Sequence, residues 1–225
     1  MYAFLIYLFL YAPIVVLIVF SFNESRSRGT WGGFSLKWYQ ALFQDQTLMQ
    51  AMYNTVLIAI LSATIATVIG TIAAIAIDGL DKWMQGIFMN VTYLPVLNPD
   101  IVTGVSLMLF FLMVKIHMGF HTLLLAHIIF NIPYVIIAVL PKLQNLNKYT
   151  MEAALDLGAT PLYTYWHVIL PQIKEGILTG FLFAFTLSLD DFVISFFTTG
   201  SGVNNLAIVI YSMAKRGLNQ KINAV

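Results

Sequence analysis

Five long apolar runs, separated by polar segments punctuated with Gly and Pro, organise the chain at about 2–22, 51–77, 85–114, 122–140 and 176–199. A hydrocarbon core about 30 Å thick takes roughly 20 apolar helical residues to cross, and in lipid only helices or closed barrels satisfy their own backbone. The pattern therefore predicts an all-α, polytopic bundle of transmembrane helices. The first two runs carry no charge. Between them NESRSRGTWGGFSLKWYQALFQDQTLMQ is polar and holds Trp and Tyr, which favour membrane interfaces, so it is expected outside the bilayer and against its surface. The hairpin DGLDKW leads into the third run, which NPD interrupts. There Asn98 is expected as N-cap, Pro99 at the first helical position and Asp100 opposite the helix dipole, with a break or kink in the span. The fourth run contains Asn131 and Pro133, and LAIVIYSM, after Gly200, is too short to cross. Neither a repeat nor a low-complexity tract is present.

Composition agrees with the pattern. Of 225 residues 60% are hydrophobic and 9% charged, against roughly 45–50% and 25% in soluble domains. The net charge of +1 gives no general attraction to nucleic acid or acidic partners. The absence of Cys excludes disulfides, zinc ribbons and thiol nucleophiles. The first run lacks a basic leader and is long enough to span, so it is expected as a retained helix and not a cleaved signal peptide.

The most informative polar segment is MEAALDLGATPLYTYWHVILP, residues 151–171. Thr150 is expected to cap a first short helix, on which Glu152 and Asp156 stand four apart, and Gly158 is a natural left-handed stop. Thr160 then caps a second helix, Pro161 opens it and Pro171 closes it. From pattern alone two readings stand: an amphipathic connector in the headgroups, or a compact helix–turn–helix that docks in a groove of another protein through Met151 and Leu155 beside the thin Ala153 and Ala154.

The spacing of Glu152, Ala153, Ala154, Gly158, Val168, Leu170 and Pro171 resembles the EAA loop of ABC importer permeases, a Glu-Ala-Ala, three residues, Gly, nine residues, Ile-x-Leu-Pro pattern. Only Val168 departs from it, by one methylene. NPDIVTGVSL, SLDDFVISFF and IYSMAKRGLNQKINA are similar to segments of the spermidine/putrescine permeases of the PotC type, over nearly the whole chain. The resemblance implies the type I ABC importer (MetI-like) fold, normally with six spans, the sixth expected beyond the C-terminus. It also implies a bacterial inner-membrane location and a cytoplasmic coupling loop at 151–171, with Glu152, Ala153, Ala154, Gly158, Leu170 and Pro171 facing a separate ATPase subunit dimer. A second homologous permease, an extracytoplasmic substrate-binding protein and a polyamine substrate are the other implied partners. The chain contains no GxxxxGK[ST] phosphate loop, so it is not expected to hydrolyse ATP; ATP and Mg belong to the partner. Orientation is contested by charge. Lys82, Lys142, Lys148 and Lys174 lie on one side of the spans, against Arg26, Arg28, Lys37, Lys115, Lys215, Arg216 and Lys221 on the other, a count that opposes a cytoplasmic EAA loop. The resemblance overrules it.

Asp190 and Asp191 interrupt the fifth run. A carboxylate at mid-bilayer costs about 2.5–3.5 kcal/mol, so two together must face a cavity, a partner or water. They either line a cationic path or pair with a basic residue of a neighbouring helix. Asp100 has the same two sides, a path residue at a broken helix or a complement to the helix dipole. Tyr93, Tyr211 and Trp31 are candidates for cation–π contact with an ammonium, or ordinary interface aromatics. His117 and His121 lack a third ligand nearby and read as interfacial, and Gly200-Ser201-Gly202 reads as a turn. Rival functions are an importer of another solute, a proton-coupled transporter using the paired acids as a relay, and a membrane scaffold. Acids in the path speak against anionic cargo, and a proton-coupled transporter leaves the EAA loop without a task.

Overall fold

In a computed structural model the described residues are 2–25, 30–147, 149–200 and 202–216. Arg26, Arg28, Lys148 and Lys221, all weighed above for orientation, lie outside them, as do Ser201 and the GLNQKINA end of the PotC-like tail. The helices are α1 (Tyr2–Ser21), α2 (Lys37–Phe43), α3 (Gln46–Asp78), α4 (Lys82–Leu97), α5 (Asp100–Met113) and α6 (Phe120–Gln144). They continue as α7 (Tyr149–Asp156), α8 (Pro161–Gln172), α9 (Lys174–Asp190), α10 (Val193–Thr198) and α11 (Leu206–Arg216). By length and composition α1, α3 and α6 each suffice to cross a membrane. The third apolar run is two helices, α4 and α5, bent by 102°.

Two local readings of the sequence need correction. Asn98 does not open α5: it closes α4, its N–H bonded to Leu94 O at 3.1 Å, and Pro99 takes the capping place with its carbonyl accepting from Val102 N at 2.9 Å. Lacking an N–H, Pro99 serves as well outside the helix as in its first turn. The fifth run is not one helix over 176–199, because α9 stops at Asp190 and α10 starts at Val193.

The chain divides into two units, Met1–Asn54 with Asn204–Val225, and Thr55–Val203. In the first, Asn23 organises the polar segment after α1. Its Oδ1 accepts from Gly32 N at 2.8 Å, its Nδ2 donates to Thr30 O at 2.9 Å, and its carbonyl accepts from Trp38 Nε1 at 2.7 Å. These bonds fix α2, whose Leu42 packs with Leu48, Ala51 and Val209. Trp31, by contrast, is half exposed.

In the second unit α6 is the central helix, buried along much of its length. Gly176, Gly180, Ala184 and Ser188, spaced by four, form the buried stripe of α9. Small residues at that spacing let backbones close up where lipid supplies no hydrophobic drive. Val135 of α6 fills the space so made: a Cβ on Gly70 of α3 would lie 2.7 Å from its Cβ, and one on Gly180 would lie 3.2 Å from its Cγ1. Around this contact Ala63, Ala66 and Ala74 pack with Val139, Leu140, Ile169, Ile173 and Ala184. A second cluster joins Phe111, Ala126, Phe130 and Ile194. Gly104 lets α10 approach α5, since a Cβ there would sit 3.4 Å from Ile194 Cα.

Candidate functional site

The segment 151–171 follows its local code with two shifts. Helix α7 begins at Tyr149, whose N–H bonds to Asn147 Oδ1 at 3.1 Å, so Asn147 supplies the cap expected of Thr150. Gly158 stands at φ +87°, and around it Ala159 N donates to Ala154 O at 3.1 Å and Gly158 N to Leu155 O at 2.9 Å. That pair of bonds is the Schellman closure, which needs the left-handed residue glycine provides. Thr160 Oγ1 then accepts from Tyr163 N at 3.3 Å and Pro161 opens α8. Pro171 does not end α8: the helix runs on to Gln172, because the proline lies in the first turn of its last piece, where no N–H is needed.

Inside α8, Tyr165–Ile169 form a π-turn, with Leu170 N bonded back to Tyr165 O. The wider turn sends Ile169 into the main core, with Tyr165 and Leu170 packed against it. Trp166 remains exposed, and His167 stacks on Tyr163 with centroids 4.1 Å apart. No residue of α7 is buried; Glu152 and Ala153 are exposed, and Leu157 is 89% exposed. Between the two helices an open groove of about 520 Å³ is lined by Ala154, Leu157, Gly158, Tyr163 and Val168. The motif thus has an outward part, Glu152 to Gly158, and a rooted part at Leu170. Such a layout leaves an apolar knob exposed while Leu170 anchors the segment against the main core.

The second candidate is the break after α9. Asp191 leaves the helix with φ −66° and ψ 122°. Its Oδ1 accepts from Ile194 N at 3.1 Å and its Oδ2 from Ser195 N at 2.7 Å, capping α10. Its side chain is 6% exposed, whereas Asp190 is exposed. His127 of α6, 2% exposed, places Nε2 3.0 Å from Ser195 Oγ and 3.6 Å from Asp191 Oδ2. One helical turn along α6, Asn131 Nδ2 donates to Ser188 Oγ at 2.7 Å, and Ser188 Oγ meets Ser62 Oγ at 3.0 Å, so α3, α6 and α9 share a buried polar link. His127 Nδ1, Asn131 Oδ1 and the hydroxyls of Thr67 and Thr71 are buried and have no hydrogen-bond partner among the described residues.

Asp100, exposed, begins α5 one turn before Gly104, and Gly104 packs on Ile194, three residues after Asp191. Asp100 and Asp191 therefore lie at the starts of two helices that pack on each other, and Asp190 ends the helix just before the second. Tyr93 is 40% exposed on α4, and Tyr211, 50% exposed on α11, belongs to the other unit. His117 and His121 are both exposed, and no group of three metal-ligating side chains occurs among the described residues. Sequence reasoning passed over His127, Ser188 and Ser195, although a histidine four residues before an asparagine inside an apolar run is itself a signal.

Residues 66–220 match the family described as binding-protein-dependent transport system inner membrane component. The spermidine/putrescine transport system permease protein PotC of Haemophilus influenzae is 38% identical over 224 residues, covering 100% of this chain and 87% of its own. The putrescine transport system permease protein PotI of Escherichia coli K12 is 39% identical over 225 residues, covering 96% of this chain and 80% of its own. A crystal structure of a bacterial ABC transporter involved in the import of the acidic polysaccharide alginate superposes with a TM-score of 0.74 at 16% identity, over 98% of this chain and 84% of that one. The fold is that of an ABC importer permease.

Proposed function

The chain belongs to the family of binding-protein-dependent transport system inner membrane components, and from that premise we propose that it passes polyamines, spermidine or putrescine, across the bacterial inner membrane. Membership makes it a multi-pass, non-catalytic permease subunit that works with an ATPase and a substrate-binding protein. The finer reading is that α7 and α8 are cytoplasmic and dock through Glu152, Ala153, Ala154 and Gly158 on an ATPase dimer that holds ATP and Mg. A second homologous permease completes the path, and the binding protein delivers cargo from outside. Nucleotide on one side and loaded binding protein on the other each bias the spans between inward-facing and outward-facing states.

The observation that carries the choice of cargo is the exposed carboxylate of Asp190 at a broken helix, with exposed Asp100 at the start of the helix that α10 packs against. Polyamine amines are protonated at pH 7, and exposed carboxylates where membrane helices break are suited to meet them. Tyr93 and Tyr211 are candidates to flank the ammonium groups. In a transporter reconstituted with the ATPase, the second permease and the binding protein, spermidine or putrescine is expected to raise ATP hydrolysis. Asp190→Asn is expected to slow uptake roughly tenfold, the loss of one charged hydrogen bond. Uptake at the wild-type rate by that variant would refute the cargo role of Asp190, and stimulation by anionic cargo alone would refute the polyamine assignment.

A further inference from the structure

The two adjacent acids face different surroundings, and the difference has a cause on the neighbouring helix. A helix that stops inside a membrane leaves backbone groups without partners, and each unsatisfied group there is costly. At this break the N–H groups of Ile194 and Ser195 are satisfied by the two oxygens of Asp191. For this, the Asp191 carboxylate must stay turned inward, although solvation would draw it outward beside Asp190. His127 opposes that pull. Its Nε2 reaches the break twice, at Ser195 Oγ and near Asp191 Oδ2. Because Nδ1 is buried and has no partner among the described residues, the Nε2–H form is the one that leaves no buried N–H orphaned.

We propose that His127 is the positioning residue of this break: it keeps Asp191 turned inward as the cap of α10 and so leaves Asp190 as the carboxylate that meets the cargo cation, a division of labour that rests on the polyamine reading above. The geometry explains why a pair is needed. A single acid at the break would have to cap the backbone and bind cargo by turns, whereas two let the helix stay capped while cargo passes. A glutamine at 127 carries its side-chain N–H₂ about as far from the backbone as the Nε2 of histidine, and leucine keeps the bulk without a donor.

The test measures hydrogen exchange at the Ile194 and Ser195 amides alongside uptake, in the reconstituted transporter. His127→Leu is expected to speed exchange at those two amides by more than about tenfold and to slow uptake, while His127→Gln keeps both within about threefold of wild type. Asp190→Asn is expected to slow uptake with exchange unchanged. Wild-type exchange at both amides in His127→Leu overturns the proposal, as does a His127→Gln variant as impaired as His127→Leu. If Asp190→Asn transports normally, the cargo reading of Asp190 fails, while the exchange measurements still judge the capping role of His127. Where His127→Leu does not assemble, Ser195→Ala removes the hydroxyl that His127 touches and is expected to speed exchange at the same amides; unchanged exchange there counts against the proposal.

Discussion

Replacing Gly158 with valine is expected to cut binding-protein-stimulated ATP hydrolysis by the reconstituted transporter about 5- to 30-fold, the factor that one or two kcal/mol commands. No neighbour lies within 4 Å of a Cβ built there, so the effect is conformational and not steric crowding. At φ +87° an L side chain costs about 1–2 kcal/mol, and a β-branched one is the least able to comply. The closing bonds from Ala159 N and Gly158 N then compete with a relaxed backbone. If the partner docks only on the closed form, apparent affinity falls by the fraction of chains still closed. Gly158→Asn, which tolerates the left-handed region, is expected to lose far less. The measurement is ATPase rate against binding-protein concentration; equal rates for wild type and Gly158→Val would separate the turn from coupling.

Gly70→Leu is expected to be the most damaging single change in the span core. A first carbon at that position would stand 2.7 Å from Val135 Cβ and 3.3 Å from Ile132 O, so α3 and α6 must move apart. Overpacking of this kind costs about 1–3 kcal/mol or more, and the same Val135 also sits against Gly180. Three helices therefore share one close-packed contact with no room for a further carbon. The thermal midpoint of the detergent-solubilised protein should fall by several degrees, about what 1–3 kcal/mol produces in a chain of this size. Moving the bulk from one helix to the other tests the cause: Gly70→Ala combined with Val135→Gly, which removes the Cβ that the new methyl would strike, should recover part of what Gly70→Ala alone loses. A double variant no better than the single one would mean that the damage lies elsewhere.

Much of this was legible because lipid imposes coarse rules. Spans are mostly apolar, and the runs at 2–22, 51–77 and 122–140 overlap α1, α3 and α6. Proline announces itself by its missing donor, which marked the bend at Pro99 but left its register one residue uncertain. The break at Asp191 carries neither Gly nor Pro, and it went unread because its cause is a side chain capping ahead of itself. The partnerships of His127 with Ser195 and of Asn131 with Ser188 and Ser62 span 57 to 69 residues of sequence. No local pattern specifies which polar groups meet across such distances; packing of the glycine-lined helices does. Likewise α2 is seven residues long, and Trp38 and Asn23 hold it more than any periodicity of its own.

The π-turn at Tyr165–Ile169 gives the 151–171 segment a property that a straight helix lacks. Removing one residue from an α-helix turns everything downstream by about 100°. Here five residues already fill a turn closed from Leu170 back to Tyr165, so the loss of one would tighten the turn to ordinary α-geometry and leave the pieces on either side nearly in register. The connection between α7 and α9 therefore carries one residue of slack, and a single-residue deletion there is expected to be survivable.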